Sequence, residues 1–145
     1  MTFHKYGLGH FNGMTQVKIN NDHNREVLAP VKTLMEIIKE FGEGEREISY
    51  LKVDVEGSEL KAMRGWIESG VLKNIRQIGI ELHTGPVHLP GEKQTAMLTE
   101  LVGVIRDLHK QGFRLISYNP NGCVGKAQDP GKKYYTYFDV VFYRK

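Results

Sequence analysis

The sequence predicts one α/β domain whose sheet is mostly parallel, with an antiparallel last strand. Residues 48–55 and 75–82 are apolar runs of strand length, and each is followed by apolar residues at helical spacing. This alternation requires crossover connections between strands that run in the same direction. Residues 113–118 and 137–143 have strand patterns with no helix between them, which predicts the antiparallel strand at the end of the sheet.

Length and composition are those of a single globular domain. We assign residues 1–145 to it and expect residues 1–30 to be loosely attached. Of the 145 residues, 40% are hydrophobic and 26% are charged, which is enough to bury a core. A net charge of +3 is too small to indicate nucleic acid as a partner. No apolar run approaches the ~20 residues of a membrane span, and these features leave the cellular compartment open.

The elements before and between the central strands follow from local signals. The amino-terminal residues predict a strand at 2–8, a glycine-containing turn at 7–13, a small strand at 15–19 and a polar loop at 20–24. Thr33 and Glu36 have the spacing of a capping box, so the first helix begins after Thr33 and ends before Gly42. Gly57 permits a tight turn into the second helix, and Gly112 ends the third.

Polar side chains stand where two of the predicted strands end. Asp54 ends one strand, Glu81 ends the next, and His83 lies two residues beyond Glu81. Neighbouring strands are about 4.8 Å apart, so Asp54, Glu81 and His83 are candidate catalytic residues at one edge of the sheet. Acid, base or hydrogen-bonding work is favoured over metal binding, although such an oxygen-rich set suits Mg²⁺ or Mn²⁺ better than zinc. The structural alternative is that Asp54 caps the next helix.

Three further charged residues surround Asp54. Glu59 lies at the start of a helix, where a negative charge is favourable, and this structural role suffices for it. Glu56 fits either a structural or a functional role. Lys52 shares a face with Asp54 inside a predicted buried strand, which predicts an ion pair between the two.

Two motifs in a fixed order carry a resemblance to a known family. The stretch "LKVDVEGSEL" at residues 51–60 is followed by "IGIELH" at residues 78–83. The sequence resembles the FkbM-like, S-adenosylmethionine-dependent methyltransferases, and among them the methyltransferase-like protein 24 type. The resemblance covers most of the chain from about residue 30.

The resemblance implies part of a class I, Rossmann-like methyltransferase sheet, whose strand order is 3-2-1-4-5-7-6. It makes residues 2–8 the third strand, 48–55 the fourth, 75–82 the fifth, 113–118 the sixth and 137–143 the seventh. The last four are therefore expected in the spatial order 48–55, 75–82, 137–143, 113–118. The first two strands and the glycine-rich cofactor turn are not matched, so we expect the carboxyl-terminal part of the domain, with an exposed strand edge that favours self-association.

The same resemblance implies methyl transfer, in particular to oxygen. S-adenosylmethionine would be the cofactor of the complete domain, with Asp54 and Glu56 on its side of the site and Mg²⁺ compatible with it. Asp54, Glu81 and His83 would orient or deprotonate a small-molecule or glycan-type acceptor. Catalysis by this chain alone stays open, and so do two alternatives: a non-catalytic module with the same fold, and a metal-dependent hydrolase using Asp54, Glu81 and His83.

Overall fold

A computed structural model describes residues 3–18, 26–42, 46–84, 91–121, 124–126, 133–135 and 137–145. In chain order, its elements are β1 (Gly7–Leu8), β2 (Gly13–Lys18), β3 (Glu26–Lys32), α1 (Leu34–Glu40), β4 (Leu51–Val53), α2 (Glu59–Ser69), a 3₁₀ turn (Val71–Asn74), β5 (Gln77–His83), α3 (Gly91–Lys110), β6 (Phe113–Pro120), β7 (Val124–Lys126), β8 (Lys133–Tyr135) and β9 (Tyr137–Arg144). The chain is therefore mixed α/β, as the sequence predicts.

The main sheet has four strands in the order β4-β5-β9-β6. This confirms the spatial order that the resemblance implies for residues 48–55, 75–82, 137–143 and 113–118. β4 and β5 are parallel, whereas β9 is antiparallel to both β5 and β6. Because β9 is inserted between β5 and β6, antiparallel pairs outnumber parallel ones, and a mostly parallel sheet is not confirmed.

One face of the main sheet is packed under the helices. β5 alternates, so that Ile78, Ile80 and Leu82 are buried in a cluster that also contains residues of all three helices. The side chain of Phe142 on β9 joins this cluster and is 1% exposed. The opposite face carries Glu81, and this alternation places the polar residues of β5 outside the core.

The amino-terminal residues form a separate three-stranded sheet in the order β1-β3-β2. The strand predicted at 2–8 is reduced to Gly7–Leu8, and the one predicted at 15–19 is Gly13–Lys18. β3 was not predicted, because Pro30 interrupts it and Leu28 is apolar yet 64% exposed, which hides the alternation. Leu8 packs against the main core. The loose attachment of residues 1–30 stays a prediction, and the loop predicted at 20–24 lies outside the described residues.

The start of α1 follows the predicted capping signal. The Thr33 hydroxyl accepts a hydrogen bond from the backbone N–H of Glu36 at 3.3 Å, and the helix begins at Leu34. We expect Thr33→Ala to lower the free energy of unfolding by about 1 kcal/mol, because this N–H loses its partner. Thr33→Ser keeps the hydroxyl and should unfold at nearly the wild-type urea concentration. Identical midpoints for the alanine variant and the wild type would show that the cap contributes nothing.

Candidate functional site

The carboxyl edge of the parallel pair brings together Asp54 and His83. Val53 is opposite Ile80, so Asp54 directly after β4 and His83 at the end of β5 lie at the same edge of the sheet. One possible ligand atom from each of Asp54, Glu56 and His83 lies within 4.8 Å of the others. The structure thus places Asp54 and His83 at one edge of the sheet, and their catalytic role stays a prediction.

Glu81 lies at the same edge, directly after Ile80, and has its own hydrogen-bond partner. Its carboxylate accepts a hydrogen bond from the side-chain amide of Asn121 at 2.8 Å, and Asp139 is its partner across the β5–β9 pair. The carboxylate that joins Asp54 and His83 within 4.8 Å is that of Glu56. Glu81 is therefore a neighbour of the cluster on the open face of the sheet, two residues before His83 on β5.

A tight turn between β4 and α2 determines where these carboxylates point. Glu56 has φ of 51° and Gly57 has φ of 95°, so two successive residues adopt left-handed conformations. This region is unfavourable for a residue with a side chain, at a cost of roughly 1–2 kcal/mol. The turn leaves the Glu56 side chain 84% exposed and buries Glu59 at the start of α2.

Glu59 joins this turn to β5. It is 1% exposed, and its Oε1 accepts hydrogen bonds from the backbone N–H groups of Val55 at 3.3 Å and Gly57 at 3.0 Å. The same oxygen lies 2.9 Å from Nδ1 of His83. From the sequence, Glu59 was expected only to place a favourable charge at a helix start, so its buried contact with His83 was missed.

The sequence contained a signal that could have revealed Glu59. The residues of α2 that are buried are Glu59, Ala62, Met63 and Trp66, which lie at positions i, i+3, i+4 and i+7. These positions form one stripe of a helix. A carboxylate at the first position of an otherwise apolar stripe indicates a buried charge that must have partners.

The His83 ring lies between two carboxylates. Its Nδ1 faces the buried Glu59, and its Nε2 lies 3.4 Å from Oε2 of the exposed Glu56. The ring of Tyr137 contacts it edge-on, with centroids 4.8 Å apart, and only 12% of the His83 side chain is exposed. The packing therefore keeps Nδ1 of His83 inside the protein and directs Nε2 towards the carboxyl edge of the sheet. This arrangement suits proton transfer or ligand binding at Nε2.

Lys52 pairs with a different carboxylate from the one predicted. Its Nζ lies 3.8 Å from Asp139 on β9, instead of pairing with Asp54. Gly79 is opposite Lys52 on β5, and the Tyr50 side chain fills the space that a side chain at Gly79 would occupy. The side chains of Lys52 and Asp139 are about half exposed, so this ion pair contributes little to stability.

None of the helices in the described parts of the chain has the length and apolar character needed to cross a membrane.

Comparison with known proteins adds the family. A family model described as the methyltransferase FkbM domain matches residues 4–115, which include Asp54, Glu56, Glu59 and His83. No curated protein and no solved structure gives a significant match. The match begins before β1 and ends within β6, and it covers well over half of the sequence. The chain therefore belongs to the methyltransferase FkbM domain family.

Proposed function

We propose that the chain forms the acceptor side of an S-adenosylmethionine-dependent methyltransferase that methylates a hydroxyl oxygen. The observation that carries this proposal is the position of His83 Nε2, at the carboxyl edge of the sheet and 3.4 Å from Glu56, in a methyltransferase FkbM domain. In α/β sheets, ligands bind at that edge of the strands. Within the family, we propose that the chain is of the methyltransferase-like protein 24 type.

In this proposal, His83 is the general base. A hydroxyl is a poor nucleophile until it loses its proton, and Nε2 of His83 is a group at this edge that can accept the proton. The cofactor, when bound, supplies an electrophilic methyl group on a sulfonium sulfur. The acceptor oxygen forms the new bond to the methyl carbon, the old carbon–sulfur bond breaks with its electron pair remaining on sulfur, and the hydroxyl proton goes to His83.

The surrounding carboxylates have distinct proposed roles. Asp54 and Glu56 follow β4 directly and are exposed, so they fit the cofactor side, where they would attract positive charge and accept hydrogen bonds from hydroxyl groups. Glu81 is held by Asn121 on the open face and would orient the acceptor. The open edge fits a small-molecule or glycan-type acceptor, which presents several hydroxyl groups.

The same three residues, Asp54, Glu56 and His83, could also bind a divalent cation. The ligand atoms of Asp54, Glu56 and His83 lie within 4.8 Å of one another, and carboxylate oxygens are the ligands that Mg²⁺ prefers. A bound cation would orient two acceptor oxygens and occupy Nε2, which would then be unable to accept a proton. Chelation therefore distinguishes a site in which His83 is the base from one in which His83 binds a cation. EDTA should leave methyl transfer unchanged if His83 is the base.

The function is tested with S-adenosylmethionine carrying a tritiated methyl group. The protein is the longest natural chain that contains these 145 residues, and the acceptors are sugars, oligosaccharides and hydroxylated lipids. We expect label on an acceptor, with S-adenosylhomocysteine as the second product. Metal-dependent hydrolysis without cofactor would contradict the proposal and favour the hydrolase alternative, whereas a folded protein that neither binds cofactor nor transfers methyl would favour the non-catalytic module.

The 145-residue chain provides a second measurement. The glycine-rich turn that approaches the cofactor in Rossmann-like domains is not matched in this sequence. We expect calorimetry to detect no micromolar binding of S-adenosylmethionine to this chain by itself. A micromolar dissociation constant would show that Asp54, Glu56 and their neighbours suffice to hold the cofactor.

A further inference from the structure

We infer that Glu59 is a positioning residue that fixes the tautomer of His83, with the proton on Nδ1 and the lone pair on Nε2. This inference deepens the proposed function and rests on it for its catalytic meaning. The geometry on which it depends is independent of any reaction. It concerns one buried oxygen, Oε1 of Glu59, and the three nitrogen atoms around it.

All three nitrogen atoms approach the same oxygen. Two of them are the backbone nitrogens of Val55 and Gly57, which can only donate. A carboxylate oxygen that accepts two N–H groups has no proton to offer to a third atom. The contact of 2.9 Å with His83 Nδ1 is therefore a hydrogen bond in which Nδ1 donates.

This hydrogen bond also determines whether the other ring nitrogen, Nε2, carries a proton. A neutral imidazole has one proton, so when Nδ1 carries it, Nε2 has a lone pair. Nε2 faces Oε2 of Glu56 at 3.4 Å, and neither of these atoms has a proton to share in that state. An acceptor hydroxyl at the edge would thus meet an unprotonated nitrogen, which is the form that a general base requires.

The arrangement also suits the state after proton transfer. Once Nε2 has gained a proton, both ring nitrogens are donors, and each has a carboxylate beside it: Glu59 at Nδ1 and Glu56 at Nε2. Glu59 is buried and cannot move aside without leaving two backbone N–H groups unpaired, whereas Glu56 is exposed and free to give way to an acceptor. Glu59, the carboxylate that cannot move, is thus the one beside Nδ1, and its contact with Nδ1 sets the tautomer of His83.

The tautomer is measured directly by nitrogen-15 NMR of the histidine side chains in the 145-residue chain, with the His83 ring in its neutral form. We expect the His83 signals of a protonated Nδ1 and an unprotonated Nε2, the reverse of the form that free histidine prefers in water. A predominantly protonated Nε2 in the wild type would overturn the inference. This measurement needs neither cofactor nor acceptor, so its result is independent of whether methyl transfer is found.

Two variants test whether Glu59 is responsible. Glu59→Met has a similar length and no acceptor, so we expect the His83 signals to shift towards a protonated Nε2, and an unchanged tautomer would overturn the assignment to Glu59. Glu59→Gln keeps an oxygen for the backbone N–H groups but removes the charge. In the longest natural chain, it should lower kcat roughly 10–100-fold with little change in KM for the acceptor.

The matched control is Glu68→Gln, which makes the same chemical change at an exposed position of α2. It should leave both kcat and the His83 signals at their wild-type values. If Glu59→Met fails to fold, the Glu59→Gln kinetics decide the question, since a kcat equal to that of the control would contradict a positioning role. If methyl transfer is absent altogether, the wild-type tautomer decides it.

Discussion

Replacing His83 by asparagine is expected to lower methyl transfer about 10²–10⁴-fold, the usual contribution of a general base. The amide of asparagine can donate to Glu59 in place of Nδ1, but it cannot accept a proton from a hydroxyl. The loss should appear in kcat, measured with tritiated S-adenosylmethionine on the longest natural chain. Circular dichroism should show an unchanged fold, because the buried Glu59 keeps its two backbone partners.

The control for this variant is His109→Asn. His109 is an exposed residue in the last turn of α3, far along the chain from the proposed site, and its replacement should leave kcat unchanged. If His83→Asn retains full activity, His83 is not the base. Asp54→Asn, also expected to lower turnover strongly, would then show whether that carboxylate takes the proton.

The second large effect concerns the sheet that holds the site. Phe142 lies on β9, is 1% exposed, and is opposite Ile78 on β5 and Leu115 on β6. Truncating it to alanine should lower the free energy of unfolding by roughly 3–5 kcal/mol, because a large apolar side chain is replaced by a cavity. Urea unfolding followed by circular dichroism measures this loss.

The matched control is Phe3→Ala, the same change at a residue that is 82% exposed, which should cost well under 1 kcal/mol. Equal, small losses for Phe142→Ala and Phe3→Ala would mean that β9 does not pack between its two neighbours. The strand order β4-β5-β9-β6 would then be wrong. The proposal of a methyltransferase site at the end of β5 would lose its structural basis.

The sequence was informative where local patterns decide the structure. Thr33 predicted the start of α1, and the apolar runs predicted the strands that end near Asp54 and His83. The position of β9 came from the family resemblance, since residues far apart in the chain pair there. β3 was missed because Pro30 lies in the middle of it.

The site was predicted only in part, for a conformational reason. The sequence placed Asp54 and His83 at one edge, but it gave no indication that Glu56 would adopt a left-handed conformation. That conformation directs the Glu56 side chain towards His83 and allows Glu59 to fold back under the turn. The contacts of His83 with Glu56 and Glu59 therefore depend on the conformation of the whole turn, which the sequence pattern did not indicate.

The inserted position of β9 has a consequence for synthesis on the ribosome. β5 and β6 leave the ribosome before β9 exists, and each then has a free edge where β9 will later pair. A nascent chain must therefore keep the edges of β5 and β6 that face β9 unpaired until residues Tyr137–Arg144 emerge. A message that stops short of these residues would encode a product with open edges in the middle of its sheet, which quality control should recognise and degrade.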